Sequence, residues 1–106
     1  MKAVKRKKRE AAGWTVGSAT DFLGLSPEEE AYIEAKLALA KQIKAVRQEK
    51  KMSQAAFAKA IHSSQSRVAK MESGDPSVSV DLMMKSLFSV GVSTKQVAQA
   101  IASAEL

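Results

Sequence analysis

From residue 28 to residue 73 the chain contains neither glycine nor proline, while Gly13, Gly17, Gly24 and Pro27 precede that run and Gly74, Pro76 and Gly91 follow it. The run is rich in alanine and poor in β-branched and aromatic residues, which favours helix over strand. With 106 residues, 45% of them apolar, the chain can build one modest core but not two. The expected fold class is therefore all-α.

Serines and prolines mark where helices start. Ser26-Pro27-Glu28-Glu29 offers a hydroxyl cap, a proline at the first helical position and a glutamate three residues past the cap, a capping box. The first helix is expected from Pro27 to about Lys50, burying a stripe of Tyr32, Leu39, Ile43 and Val46. Ser53 can cap a second helix to about Ala60, and Ser64 a third from Gln65 to Glu72. After Gly74-Asp75-Pro76, Ser79 or Asp81 opens a fourth helix through Phe88, closed by Gly91. Ser93 or Thr94 opens a fifth to about Ser103. Met83 and Met84 read as core or dimer-interface residues. The short β-prone Trp14-Thr15-Val16, flanked by glycines, reads as an extended piece, and residues 1–10 as a flexible basic arm. The division expected is 1–25 for arm and extended segment and 26–106 for the helical domain.

Seventeen Lys and Arg against eleven Asp and Glu leave a net +6, which points to a polyanionic partner. The charge is uneven. Residues 2–9 carry six cations, residues 21–34 carry five carboxylates and no cation, and residues 41–70 carry eight cations against Glu49 alone. With no cysteine and a single histidine, His62, disulfides, thiolate metal sites and nucleophilic cysteine chemistry are excluded, and neither a metal nor a cofactor is expected. No Gly-rich phosphate loop or histidine–carboxylate spacing suggests an enzyme. No apolar stretch approaches the roughly 20 residues that span a bilayer, so a cytoplasmic protein is expected. Single-stranded RNA binding lacks its aromatic platforms.

Two short helices joined by Ala60-Ile61-His62-Ser63 form a helix-turn-helix in outline. In the second, Val68 and Met71 point one way, leaving Ser66, Ala69, Lys70 and Ser73 on the opposite face and Gln65 at the exposed tip. Such a small, polar, acid-free face suits a major groove. Gln65, Ser66 and Lys70 are the candidates for base edges and Ala69 for a thymine methyl. Gln54, Ser64, Lys59 and Arg67 are the candidates for phosphates, helped by amides at the two helix starts.

The run from Ser53 to Gly74 resembles the lambda-repressor-like DNA-binding family, with Gln54 opening the second helix, small Ala58 at a close helix crossing, core positions Ile61, Val68 and Met71, and Glu72 shortly before Gly74. The likeness extends over about residues 36–103 and implies a five-helix domain. His62 stands where that family usually has glycine, at a turn position that calls for positive φ, at a cost of order 1 kcal/mol. The resemblance also implies that Arg47 pairs with Glu72, the alternative being Arg47 as a phosphate ligand. The alternative for the whole domain is a coactivator similar to multiprotein bridging factors, binding mainly proteins.

Asp21-Phe-Leu-Gly-Leu-Ser-Pro-Glu-Glu-Glu-Ala-Tyr-Ile-Glu, leading directly into such a domain, resembles antitoxins of the HigA type. That likeness implies a homodimer that represses its own operon from a palindromic operator and neutralises a small basic RelE/HigB-like ribonuclease toxin. Trp14, Phe22, Leu23 and Leu25 beside the acidic residues would suit such a partner, the alternatives being packing against the chain's own helices and a stand-alone regulator without a toxin. Apolar spacing around Val97 and Ile101 puts the expected dimer contact on the fifth helix.

Overall fold

The computed structural model describes residues 24–103, which form five helices and, among the described residues, no strand. They are α1 (Pro27–Glu49), α2 (Gln54–Ala60), α3 (Gln65–Ser73), α4 (Val80–Ser89) and α5 (Thr94–Ser103). Each starts where a serine hydroxyl can take up an otherwise unpaired amide. Ser26 accepts from the Glu29 amide while Glu29 returns a bond to the Ser26 amide. Ser53, Ser64 and Ser79 accept from the amides of Ala56, Arg67 and Leu82. Ser93 and Gln96 repeat the reciprocal box at α5. Trp14, Phe22, Leu23 and the basic run 2–9 lie outside the described residues.

The α1 helix is the spine against which α3, α4 and α5 pack, and α2 lies mainly against α3. Leu39 and Ile43 of α1, Phe57 of α2, Val68 and Met71 of α3, and Met83 and Leu87 of α4 are fully buried in one cluster. At roughly 25 cal/mol per Å² these apolar side chains are the main force holding the helices together. Met84 packs against the cluster from its edge.

Two expectations are corrected. Tyr32 shares a helical line with Leu39 and Ile43 but is 52% exposed, because the buried part of that line begins more than a turn further along α1. Val97 is 2% exposed inside the chain's own core, and Ile101 packs beside it, so the apolar side of α5 is spent on α1 rather than held out for a second molecule.

Gly74 ends α3 in the left-handed conformation at φ +69°, and a Cβ there would sit 2.8 Å from Leu37 Cδ2. This position therefore needs glycine for both backbone and space. One residue on, the Asp75 carbonyl accepts a 3.0 Å hydrogen bond from Nζ of the buried Lys36, tying the α3–α4 connection to α1.

Candidate nucleic-acid interface

The turn between α2 and α3 is tight. The Ser63 amide donates to the Ala58 carbonyl at 2.8 Å, and the His62 amide to the Lys59 carbonyl at 3.2 Å. Closing it places His62 at φ +57°, a region histidine enters at a cost of order 1 kcal/mol. Lys51, in the α1–α2 turn, also stands at φ +57°, and no glycine or asparagine marks that turn in the sequence.

On α3, Val68 and Met71 are buried while Gln65, Ser66, Arg67, Lys70 and Ser73 are exposed and Ala69 is half-buried. Lys59 of α2 and the Ser64 cap are exposed beside them. Among these exposed side chains there is no carboxylate. The surface is cationic and shallow enough in its side chains to enter a groove.

A chain of hydrogen bonds runs inward from the tip of α3. Gln65 Nε2 donates to Gln54 Oε1 at 2.9 Å, and Gln54 Nε2 donates to Glu72 Oε1 at 3.2 Å. Arg47 grips Glu72 with Nε at 2.6 Å from Oε2 and Nη2 at 3.1 Å from Oε1, and its Nη1 donates to the Met52 carbonyl. The two charged side chains are only 14% and 6% exposed. Burial pushes the Glu72 carboxyl up, but the hydrogen bonds from Arg47 and Gln54, with the Arg47 and Lys44 charges, outweigh it and hold the group below the usual carboxylate range. The hydrogen bond to Glu72 raises Arg47 in return, against its own desolvation.

The valences that remain bear on recognition. A glutamine amide has two N–H donors and an accepting oxygen. With one N–H given to Gln54, Gln65 keeps a donor and an acceptor, the pair that reads N7 and the amino group of adenine. Gln54 likewise keeps one N–H for a phosphate oxygen.

Next to α3 a polar groove is lined by Ser64, Ser66, Arg67, Lys70, Ser77 and Ser79. Ser77 was not singled out from the sequence, and Ser79 only as a candidate helix cap. The Asp75 Oδ1 atom accepts from the Ser77 amide at 2.8 Å, which folds the connection back toward α3. Hydrogen bonding from the Ser77 side chain, and then from its backbone amide, holds the Asp75 carboxyl below its usual value.

Of the residues expected to meet a protein partner, Leu25 alone is described. It lines a shallow apolar hollow with Tyr32 and Ile33, edged by Glu28 and Glu29. No group of histidine, cysteine and carboxylate side chains among the described residues is arranged to hold a metal ion. No helix among them is long and apolar enough to cross a membrane.

A family model described as helix-turn-helix matches residues 43–85, from the last two turns of α1 through α2 and α3 into α4. The match takes in Arg47, Gln54, Gln65 and Glu72 and leaves the acidic stretch at 21–34 outside. No curated protein and no solved structure gives a match.

Proposed function

We propose that the helix-turn-helix at residues 43–85 makes this chain a sequence-specific DNA-binding transcription regulator, whose α3 enters the major groove. The observation that carries the reading is Gln65, held through Gln54 and Glu72 by Arg47, with a donor and an acceptor still unspent at the tip of an acid-free face. Gln65, Ser66 and Lys70 read base edges, Ala69 meets a thymine methyl, and Gln54, Lys59, Ser64 and Arg67 hold phosphates. Ser77 and Ser79 extend the phosphate contacts along the groove beside Arg67 and Lys70.

One recognition helix reads too few base pairs to select a site alone, so the regulator acts as a homodimer on a palindromic operator with half-sites about 34 Å apart. Selection of bound duplexes from a random pool tests specificity, symmetry and spacing together. Recovery of unrelated sequences with no common half-site would refute the reading.

The finer role we propose is that of an antitoxin, in which the same protein neutralises a small basic ribonuclease toxin and represses its own operon. The supporting observation is the exposed Tyr32 and Ile33 beside Leu25, framed by Glu28 and Glu29, an apolar hollow with an acidic edge that suits a cationic protein surface. Co-expression with the small basic protein of the neighbouring reading frame tests it. If that frame encodes no such protein, or the two fail to co-purify, the regulator acts alone.

A further inference from the structure

The first four helices end in one hydrogen-bond pattern. At each end the amide of a turn residue donates to the carbonyl three residues back, and the next amide donates to the carbonyl five residues before it. After α1 these bonds are Lys51 to Gln48 and Met52 to Arg47, and after α2 they are His62 to Lys59 and Ser63 to Ala58. After α3 they are Gly74 to Met71 and Asp75 to Lys70, and after α4 Gly91 to Phe88 and Val92 to Leu87. This double closure, the Schellman motif, calls for positive φ at its turn residue, where glycine is free and other residues are strained. Glycine fills the position after α3 and α4, at φ +69° and +94°. After α1 and α2 it is filled by Lys51 and His62, both at φ +57°.

The two strained side chains stand at the two ends of α2, and burial does not repay either of them, since both are exposed. Lys51 is one of the cations behind the net +6, and His62 is not. The backbone beside Lys51 is pinned. Arg47 Nη1 donates to the Met52 carbonyl at 3.0 Å, and the same guanidinium grips Glu72 near the end of α3, so the turn is fixed relative to the recognition helix. Met52 packs against the core. The Lys51 ammonium takes part in no ion pair within the chain.

We infer that Lys51 is a further phosphate-binding residue, whose ammonium meets a DNA backbone phosphate beside the one held by Gln54. The assignment rests on the DNA-binding reading above and adds a contact to it. Lys51 lies three residues ahead of Gln54, at most about 10 Å along the chain, and carries a compact charge on a flexible four-carbon stem. Strain at a position where glycine would satisfy the backbone persists when the side chain has a use, and here the side chain offers three N–H donors and a positive charge. The turn is already rigid, so the contact orders the lysine stem alone.

The test measures the binding of a random duplex by fluorescence anisotropy between 50 and 200 mM salt, on about the scale over which counterion release is read. Three full-length variants separate charge from strain. Lys51→Met keeps the strain and removes the charge, Lys51→Gly removes both, and His62→Gly removes strain alone. Both Lys51 variants are expected to lower the slope of log affinity against log salt by about 0.9 for each chain bound, which weakens binding about fivefold at 0.15 M salt. His62→Gly is expected to keep the wild-type slope. Thermal melts give the second readout: Lys51→Gly and His62→Gly are expected to melt higher than wild type by up to about 8 °C, and Lys51→Met close to it. A wild-type slope in Lys51→Met, or a melting temperature lowered by Lys51→Gly, would overturn the assignment and leave the DNA-binding reading standing. A wild-type chain that binds no duplex would overturn both.

Discussion

Glu72 joins the stability of the domain to the aim of its recognition helix, and the two can be separated. In Glu72→Ala the Arg47 guanidinium, 14% exposed, loses its counter-ion and keeps only the Met52 carbonyl, while the Gln54 amide loses its acceptor. Leaving one partner of a largely buried pair unmatched costs about 3–5 kcal/mol, and the residual exposure of Arg47 brings the expectation to about 2–4 kcal/mol. At roughly 4–8 °C per kcal/mol for a domain of this size, melting falls by about 8–32 °C. Replacing both partners by apolar side chains of similar volume, Arg47→Met with Glu72→Leu, removes the unmatched charge and is expected to restore most of that stability. It does not restore the acceptor that holds Gln54 and, through it, Gln65. The stable double variant is therefore expected to bind random duplex like the wild type while losing about 1–3 kcal/mol of discrimination at the base pair that Gln65 reads. Urea unfolding followed by circular dichroism gives the first quantity, and competition between operator and mismatched duplexes the second. Wild-type discrimination in the double variant, or a Glu72→Ala cost under about 1 kcal/mol, would refute the argument.

The pair also sets a pH dependence. Because Glu72 is held below the usual carboxylate value, its contribution is complete above roughly pH 4.3 and is lost as pH falls through the depressed value, so Glu72→Gln is expected to flatten the acid limb of the stability curve; an unchanged limb assigns the acid loss to other carboxylates. Gln65→Ala is expected to weaken operator binding by about 1–3 kcal/mol with little effect on random duplex, and equal losses on both would remove it from base reading. His62→Gly relieves a side chain held at φ +57° and is expected to raise stability by up to about 1 kcal/mol, whereas Gly74→Ala, which brings a Cβ within 2.8 Å of Leu37, is expected to lower it by more than that; thermal melts compare the two. Deleting residues 2–9, six cations, is expected to flatten the salt dependence of duplex binding by about five in slope, and no change would leave that run without phosphate contacts.

The helices were legible because their starts are local chemistry. A serine whose hydroxyl can reach the amide three residues on is written into the sequence, and the starts expected at Ser26, Ser53 and Ser64 have hydroxyls bonded in that way. The stripe on α1 was legible in phase but not in extent. Three- to four-residue spacing says which side of a helix is apolar, and Leu39, Ile43 and Val46 obey it, but it does not say how far along the axis the neighbouring helices reach, so Tyr32 was read into a core that ends short of it. The same ambiguity misplaced Val97, since an apolar side facing its own spine and one facing a second molecule look alike in sequence. Lys36 was not singled out because its role depends on the carbonyl of Asp75, 39 residues away. Ser77 and Ser79 joined the candidate interface only once the turn at Asp75 brought the start of α4 alongside α3.

That pattern separates what local reading reaches from what it does not. Caps, turns and the outward side of α3 need information from within about one helical turn, and they supply most of the candidate DNA-binding face. The network behind Gln65 needs three segments at once, since Arg47 and Glu72 are 25 residues apart and Gln54 lies 18 from Glu72. Its consequence is that the free valences of Gln65 follow from the packing of α1 against α3 rather than from α3 alone. A substitution in the core that shifts α1 by a few tenths of an ångström, Ile43→Ala for instance, is then expected to blur base preference as well as to cost about 2–5 kcal/mol of stability. If Ile43→Ala, assayed where it remains folded, discriminates operator from mismatched duplex as the wild type does, Gln65 is aimed by α3 itself and the inner residues of the network only hold the fold together.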